Sequence, residues 1–464
     1  MDKRAALIAR QIEAEIIRRE WPIGESLGSE QSLQDTYDVS RSVLREAIRL
    51  VEHHQVARMR RGPGGGLFVT VPDAAPATRA VVIYLEYLGT TIDELLAARL
   101  LLEPLASGLA ADRIDEPGID RLRGIVGGSG IDDFHVVLGE LTGNPVLALF
   151  IDVLTRLTAR YAAGSEVPSA GEVDDAIHQM AADHGAIVEA VTAGDSARAK
   201  TLTEQHLRTV TASLDRHYRP RQGQRERPAG GLAGKRAEVL AAAVYQDIVA
   251  GGWQTGSVFG TETQLLDRYE VSRPVLREAV RLLEYHTVAR MRRGPGGGLI
   301  VTEPQPQASV DTIALYLEYR RPSREDLRLV RDAIEIDNVG KVVARVVARR
   351  EDADVAAFLA AQRRAEPGTD HRDPGEAAGW AEFFFHTDLA ALAGNKALNL
   401  FLRILVELFR RHWSSTMAPM PGSGDAEEVH HAHARIVEAI LAGDDSVARH
   451  RSRRHLEALS SWWL

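Results

Sequence analysis

Residues 41–70 read RSVLREAIRLVEHHQVARMRRGPGGGLFVT, and residues 273–302 read RPVLREAVRLLEYHTVARMRRGPGGGLIVT; 24 of the 30 positions are identical, so the chain writes one unit twice. Each copy opens as a helix. Leu44, Ala47 or Ile48, and Val51 fall on one face, while Arg41, Arg45 and Arg49 share another at i, i+4 and i+8; Arg273, Arg277 and Arg281 repeat the stripe. Short strands are expected at residues 56–60 and 67–71, joined by the run Gly62-Pro63-Gly64-Gly65-Gly66. Helix, basic strand and glycine-rich hairpin in that order suit a winged helix that grips DNA. A nucleotide-cradling loop fits poorly, because no Lys-Ser/Thr pair follows the glycines and they lie between strands.

Working outward, residues 5–19 carry Ile8, Ile12 and Ile16 on one helical face, and Leu240, Val244 and Ile248 repeat that stripe 232 residues later. The second helix should begin near Ser29, and its counterpart Thr261 has Gln264 three residues on, a capping-box pattern. Residues 72–76 and 304–306 are proline breaks that read as linkers. Beyond them the pattern is helical with almost no strand signal, and Asn144-Pro145 reads as a helix start. Residues 219–234, RPRQGQRERPAGGLAG, read as a flexible connection. The expected class is mainly α with small β wings. Its domains are a winged helix-turn-helix at 1–72, an all-helical bundle at 78–217, a linker at 218–234, a second winged helix at 235–304 and a second bundle at 309–464.

A chain of 464 residues with 45% hydrophobic content has room for three or four domains at about 100–200 residues each. No run of about 18 apolar residues offers a membrane span. The amphipathic, charged N-terminus lacks a secretory core, so a cytoplasmic location without membrane partners is the expectation. With no cysteine, any metal must be held by histidine and carboxylate. The net charge of -9 conceals a local excess: residues 41–61 hold six arginines against Glu46 and Glu52, and residues 273–293 repeat the balance. Two basic stripes on an acidic chain favour focused over indiscriminate contact with phosphates.

The second bundle places Glu382 and His386 four apart, with His433 and His455 separated by 22; together they make a credible site for Zn²⁺, Ni²⁺ or a similar ion. The first bundle supplies His135, His184 and His206, again with 22 between the last two. Four residues before His135 stands Ile131, so this site must recruit Asp132 or do without a carboxylate. The metal is therefore expected to sit more firmly in the second bundle. Arg99 and Glu103, repeated as Arg331 and Glu335, form either an exposed i, i+4 ion pair or an arginine turned inward to take an effector carboxylate.

The repeated unit resembles the GntR family of bacterial transcription regulators, with VSRxxLREAxRxLE-like recognition helices and a GxGGG-like wing. The resemblance implies DNA contacts from Arg41, Arg45 and Gly66 and from Arg273, Arg277 and Gly298. Arg49, Arg60, Arg61, Arg281, Arg292 and Arg293 extend the basic surface. The chain departs from the family at Gln31 and Thr263, where a PSERxL-like motif usually carries arginine, so operator sequence cannot be borrowed from relatives. FHVVLGELTGN and FHTDLAALAGN are similar to the FCD effector domain of the FadR-type branch, in which an Asp-x-x-x-His pair and two later histidines bind a metal that helps anchor a carboxylate effector. The resemblance implies two complete regulators fused head to tail. They would act as a single-chain pseudo-dimer on double-stranded palindromic operator DNA, with further homodimerisation open, and as a repressor released by a small carboxylate or acyl compound. An architectural DNA-binding protein with degenerate pockets is the alternative; a metal-dependent hydrolase would leave the winged helices unexplained.

Overall fold

A computed structural model of the chain describes residues 3–62, 64–72, 74–126, 134–163, 170–217, 236–292, 294, 296–304, 306–348, 352–364, 374–416 and 423–461. The expected linker at 218–234 lies outside the described residues. The first copy runs α1 Lys3–Arg18, α2 Glu30–Tyr37, α3 Arg41–His53, β1 Ala57–Arg60 and β2 Gly66–Val69, then α4 Ala74–Tyr87, α5 Ile92–Arg113, α6 Glu116–Val126, α7 Phe134–Leu141, α8 Pro145–Ala163, α9 Ala170–Thr192 and α10 Ser196–His217. The second repeats the plan. It has α11 Arg236–Ala250, β3 Val258–Gly260, α12 Glu262–Tyr269, α13 Arg273–Tyr285, β4 Ala289–Arg292 and β5 Gly298–Val301, then α14 Pro306–Arg320, α15 Arg324–Ala348, α16 Ala353–Arg364, α17 Pro374–Ala393, α18 Lys396–Thr416, α19 Ser423–Leu441 and α20 Asp445–Ser461.

Each winged helix closes over the stripes visible in the sequence. Ile8, Ile12 and Ile16 of α1 bury against Leu33, Leu44, Ala47 and Val51, with Leu67 and Val69 of the wing covering one end. The wing strands are antiparallel, with Ala57 opposite Val69 and Arg60 opposite Gly66. The second copy adds β3, giving the order β3-β5-β4. Both second helices are capped as the sequence suggests: Ser29 accepts from the Ser32 N–H, and Thr261 and Gln264 form a reciprocal capping box.

The proline breaks are shorter than the sequence suggests. Helix α4 already begins at Ala74, with Pro76 in its first turn, where a missing N–H leaves no helical bond unmade; α14 likewise begins at Pro306. These two helices then pack against each other. Trp21 of the first winged helix packs edge-on to Tyr319 of α14 at 5.2 Å, and Leu315 joins that domain's core. In the mirror contact Trp253 meets Tyr87 of α4 at 5.3 Å, and Ile83 joins the second winged helix's core. Each winged helix thus lies against the connecting helix of the other copy.

The two bundles share one core, built from α4, α5 and α8 with α14, α15 and α18. Their contact is two-fold in pattern. Asn144 caps α8 by accepting from the Val146 and Leu147 N–H groups, while its Nδ2 donates to the Asp326 carbonyl at 3.0 Å. Asn395 caps α18 and donates to the Glu94 carbonyl at 2.8 Å. Because Asn395 corresponds to Asn144 and Glu94 to Asp326, residue i touches j while j's counterpart touches i's, the signature of an isologous interface.

Candidate DNA interface and histidine centres

The recognition helices are held by local chemistry. Asp38 and Glu270 close the second helices in the left-handed region, at φ 46° and 51°, and turn the chain into Ser40 and Ser272 at the starts of α3 and α13. With the apolar residues of α3 turned inward, Arg41, Arg45 and Arg49 are exposed on one face, and Arg273, Arg277 and Arg281 match them. Arg60, Arg61 and Arg292 are exposed beside them; Arg293 lies outside the described residues. Arg58 and Arg290, which the motif does not mark, are exposed too, since the two-residue period of ARMR sets both arginines of each strand on one side. Arg60 stacks over Phe68 at 4.3 Å, whereas Arg292 donates to the Gly296 carbonyl at 2.6 Å.

Two features of this surface had no signal in the sequence. Gly66 and Gly298 are buried, and a Cβ on either would come within 2.7 Å of the Gly28 or Gly260 carbonyl oxygen. Close packing of the wing against the preceding segment therefore accounts for these glycines; the exposed tip is formed by Gly62 and Gly64, both at positive φ. The arginine stripe of the first copy is also engaged. Glu30 accepts from Arg41 Nε at 3.0 Å and Arg45 Nε at 2.6 Å, and these bonds hold its carboxyl down to about 2. In the second copy Glu262 stands 3.8 Å from Arg273.

In the second bundle α17, α19 and α20 bring four ligand atoms to one point. His433 Nε2 and His455 Nε2 lie 3.1 Å apart, His386 Nε2 and His455 Nε2 3.2 Å, and Glu382 sets its carboxylate 2.8 Å from His386 Nε2 and 3.0 Å from His433 Nε2. Zinc–nitrogen bonds of about 2.0–2.1 Å in a tetrahedron would place donors about 3.3 Å apart, so the spacing and the N₃O donor set suit Zn²⁺ or Ni²⁺. Glu335 of α15 contacts Nδ1 of His386, which leaves Nε2 for the centre, and Phe385 stacks on His433 at 3.8 Å. Burial alone would lower His386, but Glu335 and Glu382 raise it to about 9, while burial holds His433 down to about 4.

Among the described residues, the first bundle repeats the three histidines without a carboxylate in the group. His184 Nε2 and His206 Nε2 lie 3.3 Å apart with His135 beside them, and all three are buried. Glu103 contacts His135 Nδ1 at 2.7 Å and Asp183 contacts His206 Nδ1 at 3.1 Å, while Phe134 stacks on His184 at 3.9 Å. Burial, with the neighbouring His135 and His206, lowers His184 to about 2. Asp132 lies outside the described residues. The contacts of Glu103, Glu335 and Asp183 with histidine Nδ1 atoms had no local signal, because each joins a histidine on a different helix.

Four segments match known family profiles: residues 4–69 and 236–298 match "Bacterial regulatory proteins, gntR family", and residues 131–209 and 326–458 match the FCD domain. The chain belongs to the GntR family. It is a DNA-binding transcription regulator with FCD domains, two copies of each in tandem, and not an enzyme. Similar proteins correspond to one copy at a time. The Uxu operon regulator of Haemophilus influenzae is 26% identical over 224 residues, which cover 45% of this chain and 80% of that protein. The HTH-type transcriptional regulator LutR of Bacillus subtilis is 24% identical, covering 42% and 94%. The HTH-type transcriptional repressor NanR of Escherichia coli is 26% identical, covering 46% and 84%. Among solved structures, a Streptococcus agalactiae GntR is 21% identical with a TM-score of 0.33, covering 45% of this chain and 99% of that one.

In this tandem GntR regulator the arginine–glutamate pairs are not exposed. Arg99 and Arg331 are each 5% accessible, and each gives Nε to its glutamate at 2.5 Å. Burial would raise Glu103 and Glu335, yet the adjacent arginine and histidine hold both below the usual carboxylate range. Each pair is a buried strut behind a histidine centre. No described helix is long and apolar enough to cross a membrane.

Proposed function

We propose that the chain acts as a single-chain pseudo-dimer on a palindromic operator, as a repressor that a small carboxylate or acyl effector releases. The observation that carries this is the isologous contact of Asn144 with Asp326 and Asn395 with Glu94, which supplies within one chain the two-fold relation that a palindrome requires. Two recognition helices so related enter successive major grooves about 34 Å apart. Arg45 and Arg277 are the proposed base readers, with Arg41, Arg49, Arg60, Arg61 and their counterparts on phosphates. The resemblance of one copy to a named repressor supports the direction of control.

In the bundles, Glu382, His386, His433 and His455 are the proposed metal ligands, with a weaker set at His135, His184 and His206. A bound divalent ion would supply a Lewis-acid anchor for an anionic ligand. The chain's own residues do the rest: Glu335 and Glu103 orient the histidines, and Arg331 and Arg99 hold those glutamates. Effector binding shifts the wings only by its difference in affinity for the two arrangements.

Genomic footprinting, followed by mass measurement of the complex on a recovered site, tests the proposal. One chain per palindrome is expected, with about a 10³-fold or greater preference over random duplex that Arg45→Ala with Arg277→Ala removes. Similar affinity for all sequences would leave an architectural protein instead.

A further inference from the structure

The two winged helices dock on the opposite connecting helices through the same Trp–Tyr pair, but the polar chemistry around that pair differs. At the second dock the buried Tyr245 of α11 donates its hydroxyl to Glu86 of α4, and Glu86 in turn pairs with Arg160 of α8 at 2.8 Å. Arg160 also lies over the Tyr245 ring at 5.6 Å, and Trp253 meets that ring edge-on at 5.7 Å. Tyr87, the ring of α4 that Trp253 packs against, donates its hydroxyl to Glu303 and accepts from Thr255. Directional bonds thus cross this joint in two places. The first dock carries other residues there. Glu13 corresponds to Tyr245 and is turned to His54 of its own domain at 2.5 Å. Ile23 and Val71 correspond to Thr255 and Glu303; their side chains have no polar atom, and they are 45% and 54% exposed. That joint has Trp21 against Tyr319, Leu315 in the domain's core, and the ion pairs Arg10–Asp311 at 3.8 Å and Arg321–Glu20 at 3.6 Å, with both arginines exposed. Exposed ion pairs contribute little and are screened by salt.

Apolar contact is non-directional, whereas a satisfied hydrogen-bond network fixes one arrangement of the parts it joins. We propose that Tyr245, Thr255 and Glu303 are positioning residues for DNA binding: they hold the second winged helix in one orientation on the bundles, while the first turns about its Trp21–Tyr319 contact. The second domain then sets how the chain lies on a duplex, and the first adjusts to the groove it meets. The assignment rests only on the DNA-binding role of the two domains. It needs neither the palindrome nor the effector, so the failure of either reading leaves it standing.

The chain has no cysteine, so cysteines introduced in pairs carry spin labels at the chosen sites alone. Ala14→Cys with Glu325→Cys spans the first dock, and Gln246→Cys with Asp93→Cys is its mirror across the second; all four positions are exposed. Measured by double electron–electron resonance on the full chain without DNA, the second distance distribution should be about half as wide as the first. Tyr245→Phe with Glu303→Ala should widen the second to match the first. Ile23→Thr with Val71→Glu, which changes exposed residues only, should narrow the first, and it decides the matter if the Tyr245 variant does not fold. Distributions of equal width, a narrower first distribution, or a graft that leaves the first unchanged would overturn the assignment. A Tyr245→Phe, Glu303→Ala chain that melts at a lower temperature yet keeps its narrow second distribution would overturn it too, since those residues would then stabilise without positioning.

Discussion

The ring of Phe150 lies flat on the ring of Phe401, centroids 3.9 Å apart and planes within 5°. The two residues occupy equivalent places in the two copies, so they meet where the pseudo-two-fold relation carries each copy onto the other. Both are fully buried. Phe150→Ala should destabilise the chain by about 3–5 kcal/mol, and the double-mutant cycle with Phe401→Ala should show coupling of about 0.5–1.5 kcal/mol. Urea unfolding measures both. Additive losses would mean that the rings do not stack in solution.

Glu30 accepts from both Arg41 and Arg45 and, under the proposed function, should compete with DNA for them. Glu30→Gln should tighten binding to every duplex and steepen the fall of log affinity with log salt by about one unit for each further phosphate that the freed arginines neutralise. Because Glu262 stands farther from its arginine, Glu262→Gln should do less. Fluorescence anisotropy across a salt series decides it, and an unchanged slope for Glu30→Gln would count against the competition.

Metal removal should act on the second bundle first. At a hundredfold excess of free ion over its dissociation constant, a metal bound solely by the folded state adds about 2.7 kcal/mol. Chelation should therefore lower the melting temperature, and Glu382→Gln should reduce both retained metal and that shift. Metal content by mass spectrometry, alongside calorimetry, checks this. Two equally tight ions per chain would contradict the ranking of the centres.

Glu86 ties α4 to the second winged helix through Tyr245 and pairs with Arg160 at 2.8 Å. Burial raises its carboxyl from the usual 4.5 to about 7, against the pull of Arg160. Between those values the folded state holds more protons than the unfolded one, so stability falls as pH rises from about 4.5 through 7 and the loss is complete above that. The loss is a few kcal/mol at most. Glu86→Gln should flatten this part of the stability profile; a profile matching the unaltered chain would refute the role of Glu86.

Much of each winged helix was legible because its signals are local. The i, i+4 arginines, the Thr261 cap and the Gly-rich turn each report on neighbours within a few residues. The spacing of 22 between His433 and His455 likewise carried the histidine set, since the turn between two antiparallel helices returns one to the other. The inward turn of Arg99 and Arg331 was not legible, because i, i+4 spacing places two side chains on one face without saying whether that face meets water or core. Gly66 shows the same limit: its motif marked it, but the carbonyl it must clear belongs to Gly28.

The sequence by itself determined that there are two copies, where each recognition helix and wing lies, and which histidines belong together, for these follow from repetition and helical period. Only the tertiary structure decided that the winged helices cross to the other copy's connecting helix, that Phe150 meets Phe401, and that Glu382 spans from Arg331 to the histidines. Those partners are chosen by which exposed apolar and polar surfaces fit once helices have formed. Residues as far apart as Trp21 and Tyr319 share no local period that could announce the match.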